Sequence, residues 1–292
     1  DLQLYATYDV SEKIEIALLG NIAYNTYNFI PENRETSFGN LYEMLKLKIY
    51  FDGQELDCFS SMFGALALTY KPKTDLQLKF IASAFSTDET VNYDIQGQYW
   101  LSETGLGYED EQGLERGIGT YIEHARNHLE ASIFNFEHKG YKTLESGKLS
   151  WGAKIQGELI YDKVNEWKMV DSAGYTIPSS LGIVGVYDSV VAPSLQNTFK
   201  SNNDMTSTRL TAYLQRDWNK TTSWGRWFAN VGARVMYWSF NNEVFFSPRA
   251  GISFSPAKNP NLLFRLAGGI YAQSPFYKEL RNEQGEINPD IR

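Results

Sequence analysis

From Leu149 to Tyr161 apolar and polar residues alternate almost without a break. Leu149, Trp151, Ala153, Ile155, Gly157, Leu159 and Tyr161 fall on one face, and Ser150, Gly152, Lys154, Gln156 and Glu158 on the other, with Ile160 the exception. A period of two is the mark of a β-strand, whose successive side chains point to opposite faces. The run is longer than the usual globular strand of about 5–6 residues. It matches what a tilted strand needs to cross a bilayer, roughly 9–11 residues.

The same alternation recurs along the chain. One face is shared by Leu2, Leu4, Ala6 and Tyr8; by Ile14, Ile16, Leu18, Gly20, Ile22 and Tyr24; by Met62, Gly64, Leu66, Leu68 and Tyr70; and by Leu76, Leu78, Phe80, Ala82 and Ala84. Leu129, Ala131 and Ile133 repeat it weakly, followed by Leu210 to Leu214, Trp227 to Tyr237, Phe246 to Phe254 and Leu262 to Ile270. Helical periodicity is nearly absent, so the pattern predicts an all-β chain of about ten strands. The opposite faces carry Glu15, Asn21, Lys79, Glu130, Lys154, Glu158, Arg209, Gln215, Arg234, Arg249 and Arg265. In a membrane barrel such a face lines the lumen. Tyr8, Tyr24, Tyr70, Trp151, Tyr161, Trp227 and Tyr237 sit near the ends of the apolar faces, as interfacial aromatic girdles do.

Connections alternate in length. Short ones are expected at Val10–Lys13, Lys71–Asp75, Glu137–Gly147, Asp217–Gly225 and Ser255–Asn261; long ones at Pro31–Glu55, Ser86–His124 and Asn165–Met205, with Asn241–Glu243 a short member of the second set. Long outer loops and short periplasmic turns are the barrel pattern. The expected architecture is a transmembrane antiparallel β-barrel of up-and-down strands, occupying residues 1–292 as one domain.

Composition sharpens this picture in three places. Aromatic residues make up 15% of the chain, in keeping with strands and interfaces. The formal net charge of −8 argues against nucleic acid, which needs a basic face. Mean hydropathy is −0.39, which does not oppose a barrel whose strands meet lipid at every second residue. The single cysteine, Cys58, excludes an internal disulfide framework.

Candidate chemistry is sparse. His124 and His128 are four residues apart; in a strand that spacing puts both on one face but about 13 Å apart, too far to share a metal, so no metal or cofactor site is assigned. Glu109-Asp110-Glu111 with Glu115 lacks the spacing of a calcium loop, and Gly113–Gly119 lacks the strand-to-helix context of a phosphate cradle. There is no nucleophile elbow, His-Glu-x-x-His or Walker motif, so no enzyme is expected. Tyr93, Tyr99, Trp100, Tyr108, Tyr175 and Tyr187 fall in the predicted long loops, where they could stack on a captured small molecule or glycan.

From Trp218 onward the chain resembles TonB-dependent outer-membrane receptors, most closely those of Bacteroidetes. The resemblance rests on Asn230-Val231-Gly232-Ala233-Arg234-Val235, Asn241-Asn242-Glu243 and Ser247-Pro248-Arg249-Ala250-Gly251-Ile252-Ser253-Phe254. It continues through Phe264-Arg265-Leu266-Ala267-Gly268-Gly269, Gln273-Ser274-Pro275-Phe276-Tyr277-Lys278-Glu279-Leu280 and Ile287-Asn288-Pro289-Asp290-Ile291. These segments span about a quarter of the chain. The resemblance implies a 22-stranded barrel in the bacterial outer membrane, filled by a plug domain and energised through TonB. This sequence carries no plug and no terminal aromatic, so it is expected to be an internal part of such a barrel. The expected function is capture by outer loops and energy-coupled import of a siderophore, cobalamin or oligosaccharide, with Lys154, Arg209, Arg234, Arg249 and Arg265 facing the plug or the path. The alternative is a passive porin-like barrel. A barrel enzyme and a soluble β-sandwich rank behind both.

Overall fold

A computed structural model describes residues 1–39, 44–104, 115–171, 194–259 and 261–290. It forms one antiparallel sheet of eleven strands: β1 Leu2–Ser11, β2 Ile14–Phe29, β3 Arg34–Gly39, β4 Met44–Lys73, β5 Leu76–Thr104, β6 Glu115–Leu144, β7 Gly147–Asp171, β8 Ser194–Thr222, β9 Gly225–Trp238, β10 Glu243–Pro256 and β11 Phe264–Gly269. Each strand pairs with its chain neighbour except that β2 and β3 both pair with β4, β2 against its second half and β3 against its first. The sheet is not closed: β1 and β11 are its edges.

Register carries the alternation across the sheet. Leu18, Leu66, Ala82, Phe136, Ile155, Leu210, Tyr237 and Val244 form one continuous cross-strand row. The row is apolar, yet it faces outward: Leu66 and Phe136 are each 52% exposed and Ile155 49%. The other face behaves in the opposite way, with Glu158, Asp162, Asn203, Ser207 and Ser247 buried. The molecule therefore has an exposed apolar face and a covered polar face, the reverse of a sheet built for water.

Four hairpins at one end turn through two residues, at 12–13, 74–75, 145–146 and 223–224. Gly147 follows one of these turns at φ +137, where an added Cβ would lie 2.1 Å from the Asp217 carbonyl oxygen. This is the turn chemistry expected of tight reversals.

The predicted long connections are corrected. Most of Pro31–Glu55 and Ser86–His124 is strand, as are the described residues of Asn165–Met205, which belong to β7 and β8. Strand β4 has 30 residues and β5 has 29, so β4 is roughly 100 Å long at about 3.3 Å per residue. The extensions remain paired, as at Val91–Asn127 and Asn92–Leu56, with register shifts at Tyr99/Trp100 and Glu166/Lys168. Strand β3 lies wholly inside one predicted loop. The expected connection Glu137–Gly147 shrinks likewise, because β6 continues to Leu144.

Candidate functional site

The polar face of β7 to β11 carries the basic residues singled out from the sequence. Lys154, Arg209, Arg234, Arg249 and Arg265 all have the parity of this face, because strand pairing puts Lys154 opposite Thr211, Arg234 opposite Ser247, and Arg265 opposite Ser253. Lys154, Arg234 and Arg249 line one concavity of about 390 Å³ together with Glu137, Tyr213 and Gln215. Three cations against one carboxylate make this hollow suited to an anionic group. Arg265, on β11, is not among its lining residues.

Above the concavity a polar chain crosses β7 to β9. Lys154 Nζ donates to Gln156 Oε1 at 2.7 Å, and Gln156 Nε2 donates to Glu158 Oε1 at 2.5 Å. Ser207 Oγ donates to Glu158 Oε2 at 2.6 Å, and Trp238 Nε1 donates to Ser207 Oγ at 3.1 Å. Arg209 Nε lies 2.8 Å from Glu158 Oε1 but is poorly aligned for a hydrogen bond, so the contact is an ion pair. The Arg209 guanidinium stacks over the Trp238 ring, 4.2 Å from its centroid. Together these partners offset the cost of burying the Glu158 carboxylate.

The segment after β11 does not continue as a strand. It turns back across the polar face, forms a 3-10 turn at Tyr277–Leu280 and docks on β7, β8 and β9. Leu280 and Trp238 are fully buried and pack with Met205, flanked by Ile160, Phe240, Tyr277 and Ile287. Beside this apolar contact Asp162 Oδ2 accepts from Tyr277 Oη at 2.8 Å and forms an ion pair with Arg281 Nη2 at 2.6 Å. Asn203 Nδ2 donates to the Gly285 carbonyl at 2.8 Å while its Oδ1 accepts from the Ile287 amide at 3.3 Å. Burial, followed by the Asp162 carboxylate, raises the Tyr277 phenol well above its ordinary value, so it stays a neutral donor.

Further up, the polar face carries a band of tyrosines and carboxylates. Glu55, Tyr93, Ala125 and Glu166 form one cross-strand row, and Glu123 belongs to the next. Tyr99 and Tyr121 have ring centroids 5.7 Å apart. Lys168 donates to Glu123 at 2.7 Å and sits over the Tyr121 ring. Burial, with Glu166, Glu123 and Glu55 behind it, pushes the Tyr93 phenol up.

Of the aromatic residues proposed from sequence, Tyr93, Tyr99 and Trp100 lie in strand β5 and not in a loop. Tyr93 and Tyr99 share the polar face, while Trp100, opposite Lys48, has the other parity. Tyr108, Tyr175 and Tyr187 lie outside the described residues, as does the Glu109–Glu111 cluster. Sequence reasoning misses Asp162, Asn203 and Arg281. Their types give no signal, since the contacts join residues 115 and 82 positions apart. It also misses Tyr121 and Glu123, which fall inside a predicted loop and lie in β6.

No family model, curated protein or solved structure matches the chain.

Proposed function

We propose that this chain is a wall section of an outer-membrane TonB-dependent import receptor with a barrel of the 22-stranded type. The observation that carries the reading is the inverted polarity of the sheet: the row through Leu18, Leu66, Phe136, Ile155 and Leu210 is exposed while Glu158, Asp162 and Asn203 are covered. Trp151 and Tyr161 bracket the apolar face of β7 ten residues apart. That is about 33 Å along the strand, or about 25 Å of height at a tilt near 40°, the height of a lipid-facing band. Open edges are not tolerated in lipid, so in this reading β1 and β11 pair with further strands. The Ser247–Asp290 resemblance supports the receptor class, and the basic concavity of Lys154, Arg234 and Arg249 suits contact with a plug domain.

The strand extensions would stand clear of the bilayer as an outer vestibule. There Tyr93 and Tyr99, which share the polar face, would capture the small-molecule or glycan ligand by stacking and phenol hydrogen bonds. Import would follow plug rearrangement driven from the periplasm. The test is conductance of the full-length parent protein in planar bilayers. A plugged receptor is closed until mild denaturant loosens the plug, whereas a steadily open pore would establish the passive porin reading.

A further inference from the structure

The apolar face holds a group of side chains that the transport reading does not use. Asp88 on β5 and Glu130 on β6 are direct cross-strand partners. The Ala82–Phe136 pairing corrects the face expected from the weak Leu129, Ala131 and Ile133 alternation: Glu130 shares the exposed face of Phe134 and Phe136. They share their row with Tyr24 on one side and Tyr161 on the other, so they stand where the apolar face gives way to polar residues. Two carboxylates directly opposite one another repel, and this pair is juxtaposed with His128 from the same strand as Glu130. His128 Nε2 lies 3.2 Å from Asp88 Oδ2 and 3.4 Å from Glu130 Oε1. One donor atom from each residue falls within 4.8 Å of the others.

We propose that Asp88, His128 and Glu130 form a binding site for a divalent transition cation of the zinc class. The distances support this independently of residue type. Ligands bound at about 2.0–2.1 Å around a tetrahedral ion are separated from each other by roughly 3.3–3.4 Å, which is the spacing His128 already keeps from both carboxylates. Only the Asp88 and Glu130 oxygens need to close on each other, and both side chains are more than half exposed and free to rotate. One imidazole and two carboxylates suit zinc or a neighbouring first-row ion better than magnesium or calcium, which favour all-oxygen sets. Two negative charges neutralise a divalent ion and relieve the carboxylate repulsion. The His128 ring is packed edge-on against Tyr161, with centroids 6.2 Å apart, which limits its rotation. Three protein ligands leave a fourth position for water or an external oxygen donor. Lys163, the cross-strand partner of His128 on β7, opposes a cation, and its ammonium must turn away on binding. His124 cannot join, because it is committed to Asp94 at 2.5 Å further along β6.

The experiment is zinc titration of the full-length parent protein in detergent, by calorimetry, with cobalt absorption spectra as a second readout of coordination. The expected result is one site that is weakened at least tenfold in each of Asp88→Asn, His128→Ala and Glu130→Gln. Even an outer hydrogen-bonding partner of a metal ligand is worth about 10–100-fold in affinity. His124→Ala should bind as the parent does, and the cobalt visible bands should vanish in His128→Ala. No saturable binding, equal binding by all variants, or loss on His124→Ala instead would each overturn the assignment and leave the cluster a plain ion pair. The three residues are partly exposed, and a folded far-ultraviolet strand spectrum for each variant secures the comparison.

Discussion

Replacing Asp162 by Ala tests the docking of the segment after β11. Asp162 is 2% exposed and its Oδ2 holds both the Tyr277 phenol and the Arg281 guanidinium. Truncating one partner of a buried charge pair costs about 3–5 kcal/mol, mostly because the other charge is left unpaired. Arg281 is partly exposed and can swing toward water, so the lower end, about 3 kcal/mol, is the reasonable figure. The loss falls on the segment and not on the sheet, whose ladder at Asp162–Asn203 is backbone. At about 1.4 kcal/mol per tenfold, local opening should rise by roughly 100-fold. Hydrogen exchange reads this directly at the Asn288 amide, which donates to the Leu280 carbonyl, and at the Ile287 amide, which donates to Asn203. Strand amides of β7 should keep their protection. Tyr277→Phe removes a single hydrogen bond to a charged group, worth about 1.5–3 kcal/mol, and should raise exchange by about 10- to 100-fold. Exchange at residues 287 and 288 within a factor of three of the parent in Asp162→Ala would refute the argument that this carboxylate anchors the segment.

Three other outcomes follow from the same structure. Leu66→Arg, on the exposed apolar row, should destabilise the protein in bilayers by about 2–4 kcal/mol, while Gln156→Arg on the polar face should cost far less; equal costs in urea unfolding would remove the support for a lipid-facing band. Gly147→Ala should cost about 1–3 kcal/mol, because φ +137 and the Asp217 carbonyl leave a side chain no room; an unchanged unfolding midpoint would contradict this. Burial works to raise the Asp94 carboxyl, but hydrogen bonds and charge from Arg126 and His124 outweigh it and hold the group below its ordinary value. A lowered carboxylate contributes stability that is fully present above the unfolded value, about 3.9, and is lost as pH falls through the lower folded one. The stability difference between the parent and Asp94→Asn should therefore be constant from neutral pH down to about 4 and shrink below that, with Asp94 so exposed that the difference is small.

The strands that touch the apolar band are legible in the sequence because alternation there has a physical cause: one face meets apolar surroundings and the other does not. That is why Leu149–Tyr161 reads as a strand and why local parity alone assigns Lys154, Arg209, Arg234, Arg249 and Arg265 to one face. Above the band the cause disappears. Around Asp88–Trp100 and His124–Asn127 both faces are largely polar, so periodicity carries no information, yet the hydrogen-bonded ladder continues because backbone pairing does not depend on side-chain hydropathy. Those segments read as loops and are strands.

What the sequence alone determined is the strand class, the two-faced character of the sheet and, where the alternation is strong, the side on which a charged residue falls, since a period of two fixes parity locally. In β6, where the alternation is weak, it puts Glu130 on the wrong face. What only the tertiary structure decided is which residues meet. Register brought Asp88 and Glu130 face to face across 42 positions of sequence, and the return of the final segment brought Tyr277 and Arg281 onto Asp162. Such contacts depend on pairing and docking between distant segments, and local patterns of polarity do not encode them.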